Sequence, residues 1–262
     1  MRIIPTSACP ITALLLLCFS VLPVRADPYR DCVQLVAIDP DAAYDAALAW
    51  ESQDTTGGAL HCGGLALTAL GLYDAAAERL LRAAEKSLRA TDVEKATIYR
   101  QAGDAWLLAG RGQEAAAAFT QAIGFVPLDP ALFYGRARAY DVAGQPVDAF
   151  NDINQAIDLD PGRGQSYLLR ARLYRQLNQM AEAEQDIERA LQSGIDDIPV
   201  LLERGLIRYE QSDFAGALED WTAVQAADVR SDGTRGAAGA AATRFIEALQ
   251  RQTGQAETPT QP

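Results

Sequence analysis

Along most of the chain, apolar residues return every three to four positions, the spacing that gives a helix one buried face. These stretches come in pairs, parted by short breaks that hold Gly110, Gly144, Asn178 and Ser212. Each pair predicts two antiparallel helices joined by a tight turn. The pairs also copy one another. Gly103, Ala137, Ala171 and Gly205 are 34 residues apart, as are Ala115, Ala149, Ala183 and Ala217. The large apolar positions Phe119, Ile153, Ile187 and Trp221 keep that step, and so do Tyr99, Phe133, Tyr167 and Leu201. Small residues let two helices cross closely and large ones fill the space beside the crossing, so each column has a packing reason to recur. Asp129-Pro130 and Asp160-Pro161 are helix starts, with Asp able to cap and Pro suited to the first turn.

The order small, turn, Ala, large, Ala, seen in Gly103, Gly110, Ala115, Phe119 and Ala122 and closed by Pro127, resembles the tetratricopeptide repeat (TPR) family. The proline column continues as Pro161 but is Ile195 in the next unit, and Arg208 stands where an aromatic residue is usual. The resemblance implies an all-α fold, an α-α superhelix of about five helix-pair repeats, at 57–92, 96–129, 130–163, 164–197 and 198–231. Gly64, Gly71, Ala76, Leu80 and Ala83 mark the first of these, and its step to the second is 39. The five extra residues are expected to lengthen its second helix through Glu85 to Thr91. Residues 27–56 form an expected amino-terminal helical cap, with one helix starting at Asp39-Pro40, and 232–250 a closing helix. Caps are needed because an open solenoid end exposes apolar surface. The polar tail 251–262 is expected to be disordered.

The amino terminus carries a different signal. Arg2, an apolar run from Ala13 to Leu22, and small residues Val24 and Ala26 read as a secretory signal peptide over 1–26. The run is shorter than the roughly 20 residues a bilayer span needs, which leaves an uncleaved anchor as the weaker reading. Neither Cys9 nor Cys18 suits a lipoprotein signal. The mature chain is then exported, with no membrane span; the periplasm is the expected compartment and the external medium the alternative. Cleavage leaves Cys32 and Cys62, which either pair in an oxidising compartment or stay as buried thiols. A bridge would close about 30 residues and contribute about 3 kcal/mol by loop entropy.

Composition excludes several functions. The formal net charge of −12 becomes −14 after cleavage, because Arg2 and Arg25 leave 21 basic against 35 acidic residues. That argues against nucleic acid, whose binding needs clustered cations. The single histidine, His61, adjoins Cys62, but adjacent helix residues do not face each other for nucleophile–base work. Metal binding lacks a His/Cys cluster, and no cofactor motif is present; Gly57-Gly58 and Gly63-Gly64 read as a turn and as close packing. The chain is therefore expected to be non-catalytic.

The period organises charges too. Arg136, Arg170 and Arg204 are 34 apart in the first helices, and Asp152, Asp186 and Asp220 are 34 apart in the second. Where the repeat at 96–129 has Ala102 it also has Ala118, so both charges vanish together, which suggests a structural Arg–Asp pair in each repeat; a ligand-binding arginine row is the alternative. The resemblance further implies a concave groove lined by first-helix residues: Arg100, Tyr134, Leu168 and Leu202; Asp104, Arg138, Arg172 and Leu206; Asp141, Arg175 and Tyr209. Arg138, Arg172 and Arg175 would make a basic patch there, beside Tyr134, Leu168 and Tyr209. Arginine forks suit carboxylates, so the expected ligand is an acidic or carboxylate-ended peptide or protein segment. The alternative is a solvated face of local ion pairs such as Arg138–Asp141. The expected role is an adaptor in a cell-envelope assembly; an envelope enzyme subunit or a self-associating structural protein are the alternatives, and the oligomeric state is open.

Overall fold

The computed structural model describes residues 27–87, 89–230 and 234–254; the expected signal peptide and the tail from 255 onward lie outside them. Among the described residues there are thirteen helices and no strand, with one isolated bridge between Val229 and Arg235. In chain order they are α1 (Pro28–Val36), α2 (Pro40–Glu51), α3 (Gly58–Ala69), α4 (Tyr73–Lys86), α5 (Asp92–Leu108), α6 (Gly112–Phe125), α7 (Pro130–Val142), α8 (Pro146–Leu159), α9 (Gly164–Gln176), α10 (Met180–Gln192), α11 (Asp197–Glu210), α12 (Phe214–Ala227) and α13 (Ala237–Thr253). Each helix packs on the next, and alternate helices from α5 to α11 also touch, which makes an all-α solenoid.

Local chemistry sets the helix ends. Asp27, Asp39 and Asp129 accept backbone N–H bonds just before the prolines that open α1, α2 and α7. Five first helices end the same way, on a left-handed residue: Gly71, Gly110, Gly144, Asn178 and Ser212. The following amide donates back five residues, as in Arg111 N to Trp106 O at 2.8 Å and Asp213 N to Arg208 O at 2.8 Å. This closure satisfies the orphan carbonyls of the helix end.

Packing explains the columns. Phe119, Ile153, Ile187 and Trp221 are buried, each contributing about 1.5–3 kcal/mol by the area it removes from water. A side chain at Gly103 would place its Cβ 2.8 Å from the Phe119 ring, so the small column marks where the two helices of a pair cross.

The 39-residue step is absorbed differently from the sequence expectation. α4 stops at Lys86, where Ser87 Oγ donates to Ala83 O at 2.7 Å and ends the helix. Ser87, Arg89 and Ala90 lie outside any helix, and a capping box between Thr91 and Glu94 then starts α5, which runs 17 residues. The excess therefore lies in a loop and in α5, because two strong local signals, a terminator and a start, stand between Lys86 and Asp92. At the amino terminus a disulfide joins Cys32 on α1 to Cys62 on α3, with Cα atoms 6.2 Å apart and both residues buried.

Candidate functional site

The first helices of successive pairs (α3, α5, α7, α9, α11) form one layer of the solenoid, and in the fourth pair charge is divided between the two layers. α9 carries Arg170, Arg172 and Arg175 and no carboxylate, whereas its partner α10 carries Glu182, Glu184, Asp186 and Glu188 against Arg189.

Some of these arginines are structural. Arg136 Nε donates to Asp152 Oδ2 at 2.6 Å and Nη2 to Oδ1 at 2.8 Å. Arg170 and Asp186 repeat the fork at 2.7 and 2.9 Å, and Arg204 and Asp220 at 3.0 and 2.6 Å. The three aspartates are buried. Each fork joins the two helices of its pair, and the third nitrogen reaches back to the preceding pair: Arg136 Nη1 to Thr120 and Arg170 Nη1 to Asn154. Hydrogen bonding to the aspartates pushes the pKa of all three arginines up, outweighing burial. In the first pair the polarity is reversed. Arg79 of α4 pairs with Glu51 of α2, tying the pair to the cap.

The groove residues divide into engaged and unengaged sets. Arg175 lies between Glu203 Oε1 (2.6 Å) and Glu210 Oε1 (2.7 Å); burial acts to lower its pKa, but the two glutamates outweigh it. Its charge is neutralised within the protein. Arg100 is bonded to Asp104 at 3.2 Å, and burial raises the Asp104 pKa against the pull of Arg100 and Arg138. Asp141 accepts from Gln176, Leu168 is buried, and the Tyr209 hydroxyl donates to Gln252 of α13 while its ring packs on Phe214 and Trp221.

What remains is centred on Tyr134. The Arg138 guanidinium lies 5.8 Å from its ring centroid and that of Arg163 lies 4.9 Å away. No carboxylate is within ion-pair distance of either arginine among the described residues, so the Arg138–Asp141 pair weighed from sequence does not form. Arg163 Nε is buried without a hydrogen-bond partner. Arg172, one pair further on, has a side chain 44 % exposed and touches Glu203 only at 3.6 Å. Arg163 sits at the start of α9, outside the first-helix columns, which is why its place in the patch is not legible from the period. This arrangement places two guanidiniums against one aromatic ring, with a third, exposed one a helix pair further on.

His61 is built into the wall between α1, α3 and α5. Its Nε2 is 2.7 Å from Gln101 Oε1, an acceptor, so Nε2 carries the proton and Nδ1 accepts from the Tyr29 hydroxyl at 2.7 Å. Burial pushes its pKa down, against the Gln101 hydrogen bond. No group of three metal-ligating side chains occurs among the described residues, and no helix of theirs is long and apolar enough to cross a membrane.

Comparison with known proteins places this geometry. Among solved structures, MamA from Desulfovibrio magneticus RS-1 (residues 41 to the end) superimposes with a TM-score of 0.55 at 18% identity, covering 64% of this chain and 96% of that one. A tetratricopeptide repeat protein from Parabacteroides merdae ATCC 43184 gives a TM-score of 0.63 at 16% identity, covering 87% and 86%. YrrB, described as a TPR protein with an unusual peptide-binding site, gives 0.55 at 13% identity, covering 66% and 88%. These likenesses establish the fold. No curated protein matches by sequence. The tetratricopeptide repeat family model matches residues 63–130 and 134–198, just over half the chain, and the chain belongs to that family.

Proposed function

We propose that this protein is an exported, non-catalytic scaffold that holds an acidic segment of a partner protein against its first-helix face, in a cell-envelope assembly. One observation carries the reading: in a chain with a net charge of −12, Tyr134, Arg138 and Arg163 form a basic, aromatic patch in which neither guanidinium is ion-paired among the described residues, Asp104 acting on Arg138 only from beyond ion-pair distance. Cations left unpaired in an acidic protein keep their attraction for an outside anion, and the surrounding acidic surface rejects anions elsewhere. The solenoid supports this role because its elements are rigid and the patch needs no rearrangement to receive an extended segment. The peptide-binding site described for YrrB is in line with it. Export rests on the basic and apolar amino-terminal pattern, together with the Cys32–Cys62 bridge, which persists in oxidising compartments such as the periplasm.

The test is an array of nine-residue peptides graded in Asp and Glu content, probed with the full chain and with Arg138→Ala/Arg163→Ala/Arg172→Ala. Binding should rise with acidity for the natural sequence and lose that gradient in the variant. An array with no dependence on acidity contradicts the reading.

A further inference from the structure

The 39-residue step between the first two helix pairs has a consequence at the surface. α5 packs directly on α7, whereas α3 reaches α5 through the His61–Gln101 hydrogen bond at 2.7 Å. Beside them lies a cleft of about 720 Å³, closed on one side by the connection between α2 and α3 and on the other by Ser87, Arg89, Ala90 and the start of α5. That is the size of a site for a small molecule or a few peptide residues, typically about 300–1,000 Å³. The helix α1 supplies the remaining wall. Tyr29 stacks on His61 with centroids 5.8 Å apart, and the Cys32–Cys62 bridge fixes α1 to α3 one turn away.

The lining has paired and unpaired polar groups. His61 is held between Tyr29 and Gln101, Thr56 is bonded to Asp54, and Ser87 to Ala83 and Thr56. Glu94 accepts both the amide and the hydroxyl of Thr91, and those bonds keep it anionic. Two groups have no partner among the described residues: the guanidinium of Arg89, which is exposed, and the hydroxyl of Thr55. Thr97 donates its hydroxyl to Val93 O, and the rest of the wall is apolar or glycine. Val93 is 66% exposed, and Ile98 and the Tyr29 ring continue the surface.

We propose that this cleft binds a single carboxylate carried on a short apolar body, the carboxylate on Arg89 and Thr55 and the body against Val93, Ile98 and Tyr29. An exposed guanidinium beside apolar wall is a match for that chemistry, since the planar fork accepts a carboxylate at two points and the wall removes the attached hydrocarbon from water. Glu94, fixed nearby, repels any further negative charge, which separates this ligand from the multiply acidic segment expected at Tyr134 and Arg138. The carboxylate comes either from the carboxy-terminal apolar residue of a chain or from a free small acid. The site lies among α1, α3, α5 and the connections that hold Thr55 and Arg89, and does not depend on the reading of α7 and α9.

Isothermal titration of the full chain tests it, with acetyl-Ala-Leu bearing a free carboxylate, its carboxamide, and 4-methylpentanoate as probes. The free peptide acid should bind, and amidation should weaken it about tenfold or more. Arg89→Gln should weaken the acid to a similar extent with an unchanged far-ultraviolet spectrum, and Arg138→Ala/Arg163→Ala should leave it unaltered. Equal binding of the small acid and the peptide acid identifies a free small acid as the source, and binding of the peptide alone identifies a chain terminus. The proposal is overturned if acid and amide bind alike, if Arg89→Gln keeps full affinity, or if no probe binds at millimolar concentration.

Discussion

Arg170 meets Asp186 as a two-point fork, Nε to Oδ2 at 2.7 Å and Nη2 to Oδ1 at 2.9 Å, with Asp186 only 2 % exposed. The fork spans the two helices of one pair, so it fixes their relative position as well as their charge. Removing one partner of a buried pair leaves a desolvated charge, which costs about 3–5 kcal/mol, whereas removing both is far milder. Arg170→Ala should therefore lower the stability measured by urea unfolding by about 3 kcal/mol or more. Arg170→Ala with Asp186→Ala should recover a good part of that loss. A double variant as unstable as the single one, or more so, would show that the two residues do not act as a pair.

The turns offer a cleaner test, because they differ in residue but not in conformation. Ser212 and Asn178 hold φ of 66° and 60°, and Gly110 holds 73° with nothing within 4 Å of where a Cβ would stand. A non-glycine residue in this region carries about 1–2 kcal/mol of backbone strain, partly balanced by the greater freedom glycine has when unfolded. Ser212→Gly should raise the unfolding free energy by about 0.5–1 kcal/mol, and Gly110→Ala should lower it by about 1 kcal/mol. Matching shifts in midpoint temperature are the readout; a Gly110→Ala variant of unchanged stability would contradict the account.

His61 predicts a pH dependence. Burial holds its pKa below the ordinary value, so the folded state favours the neutral ring that accepts from Tyr29. The stability it contributes is complete above the unfolded pKa of about 6.5 and is lost as pH falls through the lower folded value. Carboxylates such as Asp54 and Glu94, held low by their hydrogen bonds, act in a more acidic window. Thermal unfolding between about pH 7.5 and about pH 5 should fall more steeply for the natural sequence than for His61→Gln. Parallel curves would mean that His61 is not the group responsible.

Most of the fold is legible in the sequence because packing acts on residues at a fixed step. Gly103 and Phe119 need each other's sizes, and that need recurs every 34 residues. The helix-ending residues Gly110, Asn178 and Ser212 are local signals and are equally readable. Contacts between neighbouring pairs are not, since they depend on how one pair is rotated on the next. Arg175 shares a groove column with Asp141 and Tyr209, yet Glu203 and Glu210 of the following pair take its charge. Arg163 lies in a connection, where no column points to it, and only the fold brings it to 4.9 Å from the Tyr134 ring. The reversed pair Arg79–Glu51 escapes for a related reason: it joins the repeats to a cap that has no repeat pattern. The five extra residues were visible as a count, but whether they extend a helix or open a cleft is decided by Ser87 and Thr91.

The guanidiniums around Tyr134, without an ion-pair partner among the described residues, are proposed to hold an acidic segment. The most direct measurement is the anisotropy of a fluorescent acidic nonapeptide titrated with the full chain, compared with Arg138→Ala/Arg163→Ala/Arg172→Ala and with Arg244→Ala, an exposed arginine on α13, as control. The triple variant should bind about tenfold or more weakly, Arg244→Ala should bind normally, and added salt should weaken the natural sequence. Equal affinity for the natural sequence and the triple variant would contradict it.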